Sequence, residues 1–179
     1  VAGKPFLAWQ LELLRDHGVQ EVLLCLGYQA DQIEAFAGNG RNWNLRISYS
    51  REDPARLLGT GGAIVQARPL LKPVFGVLYG DSYLPFDYLR PFQVLEELQA
   101  QAVMCIHRNR GQWDKSNARV AGNFVVFYSK QALPGEADCI DFGFSVFRKE
   151  VLDGYATAPV PLDLATILRQ LVEERQLAA

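Results

Sequence analysis

The chain has 179 residues, 49% of them apolar and 21% charged, with a net charge of −2. That length supports one domain with a real core, and the composition is ordinary for a globular protein. The near-neutral charge gives no basis for nucleic acid or an anionic membrane as partner, and no apolar stretch reaches the length of a membrane span.

Leu7, Leu11 and Leu14 recur at helical spacing after Pro5, and Gly18 is a plausible stop. Glu21 to Leu26 is a short apolar run that suits a buried parallel strand. Asp31 to Ala37 reads as a short helix, and Leu45 to Tyr49 alternates as a strand. Arg51 to Leu58 is a polar loop, Ala63 to Leu71 a helix, and Val74 to Tyr79 a strand. Pro91 suits the first turn of a helix that carries Phe92, Leu95 and Leu98 on one face, and Ala102 to His107 is a further strand.

Past His107 the texture changes. Arg108 to Ser116 is polar, and Ala118 to Tyr128 reads as a hairpin about Gly122-Asn123. Ile140 to Phe147 is a strand, and Leu162 to Glu174 an amphipathic helix. The alternation predicts a single α/β domain over 1–179, in two halves, 1–107 and 108–179. Cys25, Cys105 and Cys139 lie in separate apolar runs, so they read as buried free thiols of a reducing compartment, the cytoplasm.

Two stretches can carry chemistry. Gly80-Asp81 ends a buried strand, the sheet edge at which ligands bind, and such a carboxylate can hold a divalent metal against a phosphate. A turn aspartate bonding its own backbone is the competing reading. Leu58-Gly59-Thr60-Gly61-Gly62-Ala63 leads into a helix, where glycines let a phosphate or a planar base approach the backbone. It fits neither the phosphate-loop nor the dinucleotide fingerprint, and a plain glycine turn capping a helix competes with it.

In their order along the chain these stretches resemble the sugar-1-phosphate nucleotidyltransferases. The resemblance is carried by Val1-Ala2-Gly3-Lys4-Pro5-Phe6-Leu7, Gly38-Asn39-Gly40, Leu58 to Ala63, Tyr79-Gly80-Asp81-Ser82 and Ile140-Asp141-Phe142-Gly143. Within the family the pattern looks most like bacterial enzymes that transfer guanylyl to mannose- or heptose-type 1-phosphates, so GTP is the favoured nucleotide. The resemblance implies a Rossmann-like, mostly parallel mixed sheet with helices on both faces. It also implies an NTP and a sugar 1-phosphate as substrates, Mg²⁺ as cofactor and no nucleic acid or membrane partner.

Carried over residue by residue, Leu58, Gly59, Thr60, Gly61 and Gly62 would bind the nucleotide. Asp81 would bind Mg²⁺ beside it, Asn117, Asp141 and Gly143 would line the sugar pocket, and Lys130 would approach phosphate oxygens as the catalytic cation. The family's triphosphate loop would precede Val1, and its second metal acid would follow Ala179. Ser129 and Asp141 stand where many members have Glu and Asn. The expectation is a chain truncated at both ends, inactive alone, with a gap in the sheet between Val22–Leu26 and Val74–Tyr79 where a first strand would lie. A non-catalytic nucleotide- or sugar-phosphate-binding homologue is the alternative. A glycosyltransferase would need a second acid two residues after Asp81, where Tyr83 stands.

Overall fold

The computed structural model describes residues 1–109 and 112–179. The polar stretch read over Arg108–Ser116 falls outside the described residues at positions 110 and 111. In chain order the elements are α1 (Phe6–Asp16), β1 (Glu21–Leu26), α2 (Ala30–Ala37), β2 (Arg46–Arg51), α3 (Gly59–Ala67), β3 (Val74–Leu78), α4 (Arg90–Glu97), β4 (Ala102–Arg108), β5 (Ala118–Ala121), β6 (Phe124–Tyr128), β7 (Cys139–Arg148), α5 (Leu164–Glu173) and β8 (Leu177–Ala178).

The strands form two sheets. β1 pairs with β2 in parallel, and the other six run in the order β3-β7-β4-β8-β6-β5. β1 therefore has one neighbour and β3 has one, and no ladder joins them among the described residues. This is the gap that the resemblance implies.

The fold is the mixed α/β class read from the sequence, but the share of parallel pairs is smaller than alternating helices and strands suggest. β7 inserts antiparallel between β3 and β4 in one piece, pairing Val77 with Ser145 on one side and Val103 with Val146 on the other. The parallel pairs are β1–β2 and β4–β8. β8 carries no sequence signal of its own, being two residues long. It is fully buried and fills the slot between β4 and β6.

Helices cover both faces of the large sheet. On one face, Ile64 of α3 and Leu164, Ile167, Leu168 and Leu171 of α5 pack on Ala102, Met104 and Phe147. On the other, Leu95 of α4 and Leu14 of α1 pack with Val103, Phe144 and Val146. Ala102, Val103 and Met104 thus point alternately to the two cores, as strand geometry requires. A third, small core of Leu11, Ala37 and Leu45 lies under β1 and β2.

One cysteine departs from the expectation. Cys139 is buried and Cys105 half-buried, but Cys25 is exposed. Cys25 lies near the end of β1, whose other edge is unpaired among the described residues, and its Sγ lies 3.9 Å from Ala63 O of α3. No helix among the described residues is long and apolar enough to cross a membrane.

Candidate functional site

At the carboxyl end of β3 the chain turns sharply. The Ser82 N–H donates to Tyr79 O at 3.1 Å, and the Tyr79 N–H donates to Gly143 O at 3.3 Å, which ties the turn to β7. The side-chain amide of Gln10, buried in α1, spans the same turn. Gly143 has a φ of +89°, and a Cβ there would meet Ser82 Oγ at 2.7 Å, so the turn and β7 approach as closely as glycine allows.

A cleft of about 330 Å³ opens beside this turn. It is lined by Asp81 and Ser82 of the turn, Asp141, Phe142 and Gly143 of β7, and Asn117, Tyr128 and Lys130 around β5 and β6, with Tyr79 at its wall. Five of the residues singled out from the sequence, Asp81, Asn117, Lys130, Asp141 and Gly143, therefore share one site, although they are spread over 63 positions of the chain.

Asp141 is held from three sides. Its backbone N–H donates to Asn117 Oδ1 at 2.7 Å, its Oδ1 accepts from the Gly143 N–H at 3.0 Å, and its Oδ2 accepts from the Tyr128 hydroxyl at 3.1 Å. Burial pushes the Asp141 carboxyl above its ordinary value, against the pull of those two donors and of Lys130. Burial, and then the charge of Asp141, push the Tyr79 and Tyr128 hydroxyls far above the usual phenol range, so both stay protonated donors.

Lys130 reaches the cleft from the end of β6. Its Nζ lies 2.8 Å and 3.0 Å from the two carboxylate oxygens of Asp163. Asp163 is the N-cap of α5 and accepts from the Ala165 N–H at 2.9 Å. Burial raises its carboxyl, but Lys130, the Ala165 N–H and the Thr60 hydroxyl outweigh burial and hold it below the usual value. An Asp before an apolar-periodic helix is a cap signal visible in the sequence; its reach to Lys130 is not.

The glycine stretch lies apart from the cleft walls. Helix α3 begins at Gly59, earlier than expected, so the glycines form its first turn. The N–H groups of Gly61 and Gly62 both donate to Leu162 O, at 2.8 Å and 3.1 Å, and the Leu162 N–H donates to Leu58 O at 2.7 Å. Thr60 Oγ1 accepts from the Leu164 N–H at 2.9 Å and lies 3.3 Å from Asp163 Oδ1. Two of the N–H groups read as free for a nucleotide thus fasten α3 to the start of α5. The connection from the glycines to the cleft runs through Thr60, Asp163 and Lys130.

The residues present suit a divalent cation of one kind. Among the described residues no group of three or more acidic, His or Cys side chains could cage a metal. Asp81 is an exposed carboxylate in the cleft and makes no ion pair among the described residues. Mg²⁺ is commonly bound by one or two carboxylates with the remaining ligands from phosphate and water, so Asp81 fits it as a single protein ligand.

No family model matches the chain. The chain is 32% identical over 176 residues to the N-acetylmuramate α-1-phosphate uridylyltransferase of Neisseria meningitidis serogroup B, covering 94% of the chain and 72% of that protein. It is 34% identical over 94 residues to the D-glycero-α-D-manno-heptose 1-phosphate guanylyltransferase of Aneurinibacillus thermoaerophilus, covering 52% of the chain and 40% of that protein. The solved structure of HddC from Yersinia pseudotuberculosis with GMP-PN superposes with a TM-score of 0.71 at 24% identity, over 92% of the chain and 71% of that structure, a likeness of fold. With near-complete coverage of the chain by the first of these relatives, the chain belongs to the sugar-1-phosphate nucleotidyltransferases.

Proposed function

We propose that the protein transfers a nucleotidyl group from an NTP to a sugar 1-phosphate, giving an NDP-sugar and pyrophosphate. A phosphate oxygen of the sugar attacks the α-phosphorus, the bond to the β-phosphate oxygen breaks, and pyrophosphate leaves with that electron pair. The observation that carries this reading is the convergence of Asp81, Asn117, Lys130, Asp141 and Gly143 on one cleft at the carboxyl edge of the sheet.

Nucleotidyl transfer needs in-line positioning and neutralised charge more than covalent help. In this reading the first half, 1–107, presents the nucleotide from the Leu58–Gly62 turn and Asp81. The second half, 108–179, presents the sugar. Asp141 and the Tyr128 hydroxyl would meet sugar hydroxyls, Asn117 would fix Asp141, and Gly143 would leave room for the ring. Lys130 would meet phosphate oxygens. Mg²⁺ bound at Asp81 would supply charge neutralisation at the α-phosphate.

GTP is the favoured donor on the resemblance to guanylyltransferases, supported by the heptose 1-phosphate guanylyltransferase relative. UTP is a second reading, supported by the uridylyltransferase relative that matches nearly the whole chain. Among the described residues the cleft offers one ammonium beside the carboxylates of Asp81 and Asp141, too little to neutralise a triphosphate. We infer that the 179 residues alone do not turn over. Both substrates are soluble phosphates, and we place the reaction in the cytoplasm.

The test is pyrophosphate release by the full-length gene product with GTP or UTP and mannose-, heptose- or N-acetylmuramate 1-phosphate. Turnover with one pairing is the expected result. Binding of a nucleotide or sugar phosphate without turnover in any pairing would favour a non-catalytic homologue and overturn the enzyme reading.

A further inference from the structure

Lys130 is a flexible side chain, about half exposed. Left to itself such a chain samples many rotamers, and fixing it costs side-chain entropy when a ligand arrives. In this structure it is already fixed. Both carboxylate oxygens of Asp163 lie within hydrogen-bonding distance of Nζ.

Asp163 is itself immobilised by three independent contacts. It caps α5 through the Ala165 N–H, it meets the Thr60 hydroxyl, and its neighbours Leu162 and Leu164 are tied to Leu58, Thr60, Gly61 and Gly62 by backbone bonds. The two oxygens of Asp163 thus take donors from three elements: the first turn of α3, the first turn of α5, and the end of β6. An N-cap needs only the Ala165 contact. Serine or asparagine would satisfy that need as well as aspartate. The dipole of α5 favours a negative charge here, and Lys130 gives that charge a specific partner with which both oxygens bond.

We propose that Asp163 is the positioning residue for Lys130, anchoring its ammonium to the first turn of the glycine helix so that it faces the cleft ready to meet a phosphate. An ammonium has three donors and no fork of its own, so a carboxylate that engages it from one side sets where the remaining donor points. The consequence is geometric: the distance between the glycine turn and the cation is set by one carboxylate and not by the flexible lysine stem. The proposal rests on the reading of the cleft as a sugar-phosphate site, and it adds to that reading a residue that touches neither substrate.

The experiment is a double-mutant cycle in the full-length gene product, with Asp163→Asn and Lys130→Met, read by the Kd for mannose 1-phosphate or whichever sugar 1-phosphate the wild type binds, and by kcat/KM. Asn keeps the cap and the size, so the melting temperature should stay within a few degrees; Asp163→Ser, another good cap, is the second variant. Asp163→Asn is expected to weaken binding about tenfold, the order lost when the partner that orients a ligand-binding side chain is removed. In the Lys130→Met background the same change is expected to alter Kd by less than about twofold, because the two act through one contact. Independent, additive losses, or no loss from Asp163→Asn and Asp163→Ser, would overturn the proposal alone. A wild type that binds no sugar 1-phosphate would overturn the cleft reading and the proposal with it.

Discussion

The side-chain amide of Gln10 donates to Ser82 O at 2.9 Å, and to Tyr79 O at 3.1 Å, so helix α1 grips both ends of the turn that carries Asp81. Gln10 is 5% exposed, so these carbonyls find their donor in the protein and not in bulk water. Gln10→Leu removes both bonds and is expected to cost about 1–3 kcal/mol, the range for leaving buried polar groups unsatisfied. Denaturant unfolding measures it. An unchanged midpoint would mean that water replaces the amide.

Asp81 should behave in the opposite way. It is exposed and makes no ion pair among the described residues, so Asp81→Asn should change stability by no more than about 0.5 kcal/mol. Its effect belongs in activity: loss of a charge that would stabilise the transition state is expected to lower kcat by about 10²–10³ and to weaken the Mg²⁺ dependence. Steady-state rates against Mg²⁺ concentration, with a melting curve beside them, separate the two. A destabilised but fully active variant would sink the metal assignment.

Asp141 gives a pH-dependent prediction. Burial raises its carboxyl above the ordinary value, so the ionised form carries a cost in the folded state. Its favourable contribution is present below the unfolded-state value near 3.8 and is lost as pH rises through the higher folded-state value. Asp141→Asn removes a charge that is costly at neutral pH. The amide oxygen can accept from the Gly143 N–H and the amide nitrogen can donate to the Tyr128 oxygen. The variant should melt a few degrees higher at pH 7, and the gain should shrink as pH falls toward 4. A gain independent of pH would show that charge is not the cause.

Gly59 is the point at which sequence and packing constrain each other most. Its φ is +78°, and an added Cβ would sit 2.6 Å from Leu162 O, a backbone atom that cannot rotate away. Gly59→Ala should cost about 1–2 kcal/mol from the left-handed backbone and about 1–3 kcal/mol more from overpacking. Calorimetry tests the sum. A loss under about 1 kcal/mol would show that the α3–α5 junction yields easily.

Much of this was legible in the sequence. Periodicity and turn signals located β1 to β7 and all five helices to within a few residues. Asp81, Asn117, Lys130, Asp141 and Gly143, named through the resemblance, line one cleft. What stayed hidden was set by partners distant in sequence. Gln10 reads as one polar residue of an amphipathic helix, and only the fold brings it to Ser82, 72 positions away. Asp163 reads as part of the helix drawn over Leu162 to Glu174, and its bond to Lys130 spans 33 positions. Leu177 and Ala178 are too short to show alternation, and the slot they fill exists only after β4 and β6 are in place. The glycine stretch reads as backbone open to a phosphate or a planar base, because the sequence cannot reveal that Leu162 O claims the N–H groups of Gly61 and Gly62.

The separation of β1–β2 from the six-stranded sheet also has a kinetic reading. A two-stranded sheet is marginal by itself, and this one rests on a core of only three buried residues, whereas β4 and β7 lie between two large cores. Amide hydrogens of β1 and β2 should therefore exchange with solvent through local opening, well before those of Val103 and Val146, which wait for global unfolding. The molecule should come apart in two steps, first around Glu21–Arg51 and then at the sheet that carries the cleft.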